Sequence, residues 1–101
     1  MTQLQLLPKS LDEQYQLWRD TQHGITVYTE AKRRALFIKS KGVRHIGIKF
    51  ILESIRWDRL CQTGMDDTGY KINNNIASRL SRDIMQHTPE LIGYFETRAL
   101  R

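Results

Sequence analysis

Lys71-Ile72-Asn73-Asn74-Asn75-Ile76-Ala77-Ser78-Arg79-Leu80-Ser81-Arg82 is the stretch on which the fold turns. Ile76, Leu80 and Ile84 recur at helical spacing, and Asn73-Asn74-Asn75 offers side-chain acceptors where a helix needs an N-cap, so a helix is expected from there to about His87. Asn75, Ser78, Arg79 and Arg82 then share a different face, which is expected to be exposed. Asn, Ser and Arg near a helix N-terminus can read base edges and phosphates, and the N-terminal N–H groups favour anions. The competing interpretation is structural: asparagines that cap and tighten a turn, and arginines in ordinary surface pairs, for instance Arg79 with Asp83 at i+4.

Upstream, Ser10-Leu11-Asp12-Glu13 has the capping-box form, so a first helix is expected from Ser10, with Leu11, Tyr15 and Trp18 on one face. A second is expected from Gly24 or Thr26 to near Gly42, on Val27, Tyr28, Ala31, Ala35 and Ile38. A third should run from about Gly47 to Leu60. Ile48, Ile51, Leu52 and Ile55 form one apolar stripe and Phe50 with Trp57 a second, which predicts a helix packed on more than one side. Between Gln62 and Tyr70 the periodicity breaks at Gly64, Asp66-Asp67 and Gly69, and residues 63–72 are compatible with a loop or a short β-hairpin. Thr88-Pro89-Glu90 predicts a fifth helix from Pro89 to about Thr97, capped by the Thr88 hydroxyl and docking Leu91, Ile92 and Phe95. The expected fold is a single all-α domain over residues 1–101, a bundle of four or five helices. Its order of parts is that of a helix-turn-helix or winged-helix module, although the gap from Leu60 to Asn73 is long for the former.

Composition narrows the function classes. At 101 residues, with 40% apolar side chains, the chain can build one core. The single cysteine, Cys61, forms no intrachain disulfide and is expected as a buried structural thiol. Neither a signal peptide at Met1–Leu7 nor an apolar run long enough for a membrane span is visible, so a cytoplasmic protein without a membrane partner is expected. The net charge of +5 is unevenly spread. Residues 1–30 carry Lys9 and Arg19 against Asp12, Glu13, Asp20 and Glu30, whereas Ala31–Lys49 holds Lys32, Arg33, Arg34, Lys39, Lys41, Arg44 and Lys49 with no acid. Such a run either solvates a helix face or forms a footprint for phosphates.

Groups for catalysis are not assembled by the sequence. His23, His45, His87 and Cys61 lack metal-ligand spacing, no Gly-rich phosphate loop occurs, and no cofactor or metal is expected. Asp20 with Glu30-Ala31-Lys32 superficially resembles the acidic and lysine set of metal-dependent nucleases, but a helical pattern sends Glu30 and Lys32 to different faces. Asp66-Asp67 reads as turn chemistry rather than a magnesium site. Trp57, between Arg56 and Asp58-Arg59, is expected in the core rather than as a stacking platform.

The segments Tyr70-Lys71-Ile72-Asn73-Asn74-Asn75, Ser78-Arg79, Pro89-Glu90-Leu91 and Phe95-Glu96-Thr97-Arg98, with Gly47-Ile48-Lys49 and Arg56-Trp57 before them, resemble a family of short uncharacterised proteins of bacteria and their phages. The resemblance covers about residues 42–101. It implies a bacterial or phage setting and transfers no activity.

The expected function is binding of double-stranded DNA in a regulatory or architectural role, not catalysis. Lys32, Arg33, Lys39, Lys41 and Arg44 are expected to hold phosphates, with Lys71 beside them. Asn74, Asn75, Ser78, Arg79 and Arg82 are expected to face a groove or the backbone. A two-fold dimer would suit a helix-turn-helix protein on a palindromic site. The rival expectation is a protein-binding module that inhibits or modulates a host enzyme through an acidic protein surface.

Overall fold

Ser10 opens the first helix as its capping box requires. Its Oγ accepts from Glu13 N at 3.1 Å, and the Glu13 carboxylate accepts from Ser10 N at 3.3 Å, which satisfies two otherwise orphaned donors and starts α1, Leu11–Arg19. Thr21 makes the corner that follows. Its hydroxyl accepts from Gly24 N at 2.9 Å and donates to Trp18 O at 2.6 Å, so α2, Gln22–Ser40, begins earlier than its apolar pattern. The corner leaves no space at Gly24, where a Cβ would stand 2.0 Å from the Trp18 carbonyl oxygen. The third helix, α3, spans Ile48–Thr63, and α4 spans Asn74–His87 behind an Asn73 cap that accepts from Ile76 N at 2.9 Å.

The computed structural model describes residues 10–66 and 68–96, and over these the chain is an all-α bundle of four helices. Val27, Ala31 and Ala35 give α2 a narrow, fully buried face against which α3 packs Ile48, Ile51, Leu52 and Ile55. Leu80 and Ile84 of α4 are also fully buried, and Tyr15 brings α1 to the same core. Two-residue strands β1, Ile46–Gly47, and β2, Phe95–Glu96, pair in parallel with Ile46 opposite Phe95. Tyr94 O–H donates to Val43 O at 2.9 Å, and Lys39 Nζ donates to Glu90 O. The segment after α4 is thereby strapped across the end of the α2–α3 hairpin, with Leu91, Tyr94 and Phe95 buried beneath it.

One open alternative is decided, in favour of a loop, and four local expectations are corrected. Residues 64–66 and 68–73 form a turn and a 3-10 turn at Thr68–Tyr70, without a strand, so neither a hairpin nor a wing forms among the described residues of this connection. Tyr70 and Ile72 are instead buried against the bundle, Tyr70 beneath the Arg59 guanidinium and Ile72 with its carbonyl bonded by Lys49. The fifth helix is a single 3-10 turn, Pro89–Leu91. Gly93 then takes φ 71°, a left-handed conformation that breaks the helical path and redirects Tyr94-Phe95 into the strap; Thr97 lies outside the described residues. The Thr88 hydroxyl makes no cap and is buried. Phe50 and Trp57 are 67% and 64% exposed, because no described element covers the second stripe of α3. Cys61, one turn beyond Trp57, is exposed as well.

No helix among the described residues is long and apolar enough to cross a membrane.

Candidate nucleic-acid interface

The face of α4 expected to be open is largely taken by α1. Arg79 has only 15% of its side chain exposed: Nε meets Asp12 Oδ1 at 2.8 Å, and Nη1 donates to Asn75 O at 3.3 Å. Ser78 and Arg82 are half-buried, and only Asn74 and Asn75 remain exposed. One turn after Arg79, Asp83 does not pair with it. Its carboxylate accepts from Tyr15 O–H at 2.5 Å and from Arg19 Nε at 3.3 Å, and lies 2.9 Å from His87 Nδ1. Burial, with the adjoining Asp83 carboxylate, pushes the Tyr15 phenol far above its ordinary range. The partners of Arg79 and Asp83 therefore come mainly from α1, a helix more than sixty residues away in sequence.

Along α2 the cations divide by environment. Arg33 grips Glu30 with two bonds, at 2.8 and 3.1 Å. From the inner side Arg34 reaches Glu30 at 3.1 Å, Ser54 Oγ at 3.1 Å and Asp58 at 2.7 Å, tying α2 to α3. The Arg33 hydrogen bonds, reinforced by Arg34, hold the Glu30 carboxyl down to about 2 against the opposing effect of partial burial. Glu30 is thus engaged by two guanidinium groups, and Asp20 by Gln16 Nε2 at 2.9 Å.

At the C-terminal end of α2 the pattern changes. Lys39, Lys41 and Arg44 are exposed, and none of them makes an ion pair among the described residues. Lys39 reaches a backbone carbonyl and Lys41 lies 5.2 Å above the Phe37 ring, contacts that leave both charges unneutralised. Lys32 is half-buried, two turns before Lys39 on the same side of α2. Lys71 is exposed in the α3–α4 connection, close enough to Asp66 to help hold that carboxyl below its ordinary value, although the Arg56 hydrogen bond does more. The predicted residues therefore fall into separate groups: a cationic end around Lys39, Lys41 and Arg44, an exposed pair at Asn74 and Asn75, and the partly covered Ser78, Arg79 and Arg82.

Phe50, Trp57 and Leu60 line an open groove of about 500 Å³ on the outer face of α3. Helical spacing revealed their common face but not its exposure, which depends on the absence of a covering element. Among the described residues no three His, Cys, Asp or Glu side chains come together as metal ligands.

No family model, curated protein or solved structure matches the chain.

Proposed function

We propose that the protein binds double-stranded DNA through the cationic end made by the last turn of α2 and the loop after it. Its role would be regulatory or architectural, in the cytoplasm of a bacterial cell or of one infected by a phage. The observation that carries this is the division among the cations. Arg19, Arg33, Arg34, Arg56 and Arg79 are held in ion pairs, whereas Lys39, Lys41 and Arg44 are exposed without a carboxylate partner among the described residues. A cation already paired must give up that partner to meet a phosphate; an unneutralised one releases counterions from DNA at no such cost. Lys32 extends the surface about 10 Å back along α2. Asn74 and Asn75 of α4, with Lys71, supply a second exposed contact. Arg79 is assigned instead to holding α1 against α4.

Fluorescence anisotropy of a labelled duplex at about 50 and 200 mM salt tests the proposal. Wild type should lose affinity steeply, with a log–log slope of about −0.9 per phosphate neutralised. The combined Lys39→Ala, Lys41→Ala and Arg44→Ala variant should bind more weakly and reduce the slope by about 3. Arg79→Ala should leave the slope near that of wild type. No binding to any duplex at the lower salt, or a triple variant equal to wild type, would exclude this mode of action. Binding to an acidic polypeptide but not to duplex would transfer the same cations to a protein partner.

A further inference from the structure

We infer that the groove on α3 is a docking site for one face of a short, basic amphipathic helix from a protein partner. The groove begins with a sequence fact: Phe50 and Trp57 are seven residues apart and Leu60 three further on, so all three project from one side of α3. Phe50 is 67% exposed and Trp57 64%, with Leu60 at the edge of the same face. Isolated apolar residues on a surface are ordinary, but two large aromatics and a leucine lining one concavity form the kind of surface that partners cover. From Phe50 to Leu60 α3 rises about 15 Å, enough to accept about three turns of a partner helix whose anchors fall at i, i+3 or i+4, and i+7.

The rim identifies the chemistry of the occupant. Glu53, Asp58 and Asp66 stand around the aromatics, three carboxylates against two guanidinium groups, Arg56 on the rim and Arg34, which reaches Asp58 from α2. The carboxylates are also the more accessible members of their pairs: Glu53 is 57% and Asp66 46% exposed, while Arg56, which bridges them, is 23% exposed. Asp58 is 48% exposed and its partner Arg34 only 20%. A protein of net charge +5 therefore has a locally acidic frame around its most apolar concavity. Lysines or arginines flanking the anchors of a partner helix would complete that frame, whereas nucleic acid would be repelled by it. A second copy docking groove to groove would bring carboxylates against carboxylates, which disfavours a two-fold pair through this face. The frame is also braced: Arg56 donates to both carboxylate oxygens of Asp66, at 2.8 and 2.5 Å, and so fixes the turn after α3 to the helix that carries the aromatics.

Three labelled synthetic peptides of about three helical turns make the test. One carries leucines at i, i+3, i+4 and i+7 with flanking lysines, the second replaces each lysine by glutamate, and the third scrambles the lysine peptide. Anisotropy titrations of the full chain should show the lysine peptide binding at least about tenfold tighter than either control, with a blue shift of tryptophan emission. Trp57→Ala and Phe50→Ala should each weaken it about tenfold or more, and Glu53→Lys with Asp58→Lys should abolish the preference over the glutamate peptide. Both aromatics are exposed, so circular dichroism and the thermal midpoint should stay near wild type and separate lost docking from lost folding. The Lys39→Ala, Lys41→Ala, Arg44→Ala variant should bind the lysine peptide as wild type does. Equal binding of lysine and scrambled peptides would overturn the inference. So would sedimentation of wild type as a dimer that Trp57→Ala dissociates, because a second copy would then be the occupant.

Discussion

Glu30 sits between Arg33, on the solvent side, and Arg34, which is 20% exposed and also bonded to Ser54 and Asp58. Its carboxyl stays ionised in the folded chain to about 2, whereas in the unfolded chain it takes up a proton near its ordinary 4.5. The unfolded state therefore binds the proton first as pH falls, and the stability the cluster contributes is complete above 4.5 and lost between 4.5 and about 2. Because Glu30 retains access to solvent, screening leaves about 1 kcal/mol of this. Glu30→Gln should lower the urea unfolding free energy by that amount at neutral pH and match wild type near pH 2, a convergence that denaturation curves at the two pH values will check. The sequence displayed Glu30, Arg33 and Arg34 at helical spacing, and their proximity followed from it. That Arg34 turns inward to Ser54 and Asp58 depends on where α3 lies, which spacing along α2 does not encode.

The starts of α1 and α4 were legible because they are local. Ser10 and Asn73 each cap with a side chain three residues from its backbone donor, a relation contained in the sequence itself. What covers each helix was not legible. Ile76, Leu80 and Ile84 identified the buried side of α4, but only the folded chain places α1 over Arg79; likewise Phe50 and Trp57 show the helical repeat of a core stripe without an element to bury them. Hence the basic run of α2 was found while the open surface of α4 was overestimated. The placement of α1 depends on the corner at Gly24, where the backbone of Trp18 and Arg19 occupies the space of a side chain. Gly24→Ala must displace α1 or the first turn of α2, and should cost about 3 kcal/mol, the upper end for overpacking. Chemical denaturation will measure the loss, and amide exchange in α1 should rise more than in α3, since α1 depends on that corner for the contact of its Tyr15 with Asp83.

At the scale of the molecule, the expectation of an all-α bundle was met through apolar periodicity, while the expected last helix was not, because the chain leaves the helical path after one 3-10 turn and a left-handed glycine directs it into a strap. That strap joins groups far apart along the chain: Tyr94 and Val43 are 51 residues apart, and Phe95, 3% exposed, lies opposite Ile46. Closing so long a loop loses chain entropy before its contacts compensate, whereas the α2–α3 hairpin forms from neighbours. The order of events in folding follows: the hairpin belongs to the nucleus, and the strap locks on after the rate-limiting barrier. Phe95→Ala should then lower stability by about 3 kcal/mol, almost entirely as faster unfolding, with the refolding arm of a stopped-flow chevron left in place. The contact between β1 and β2 would serve as a latch, setting how long the folded molecule persists rather than how quickly it is reached.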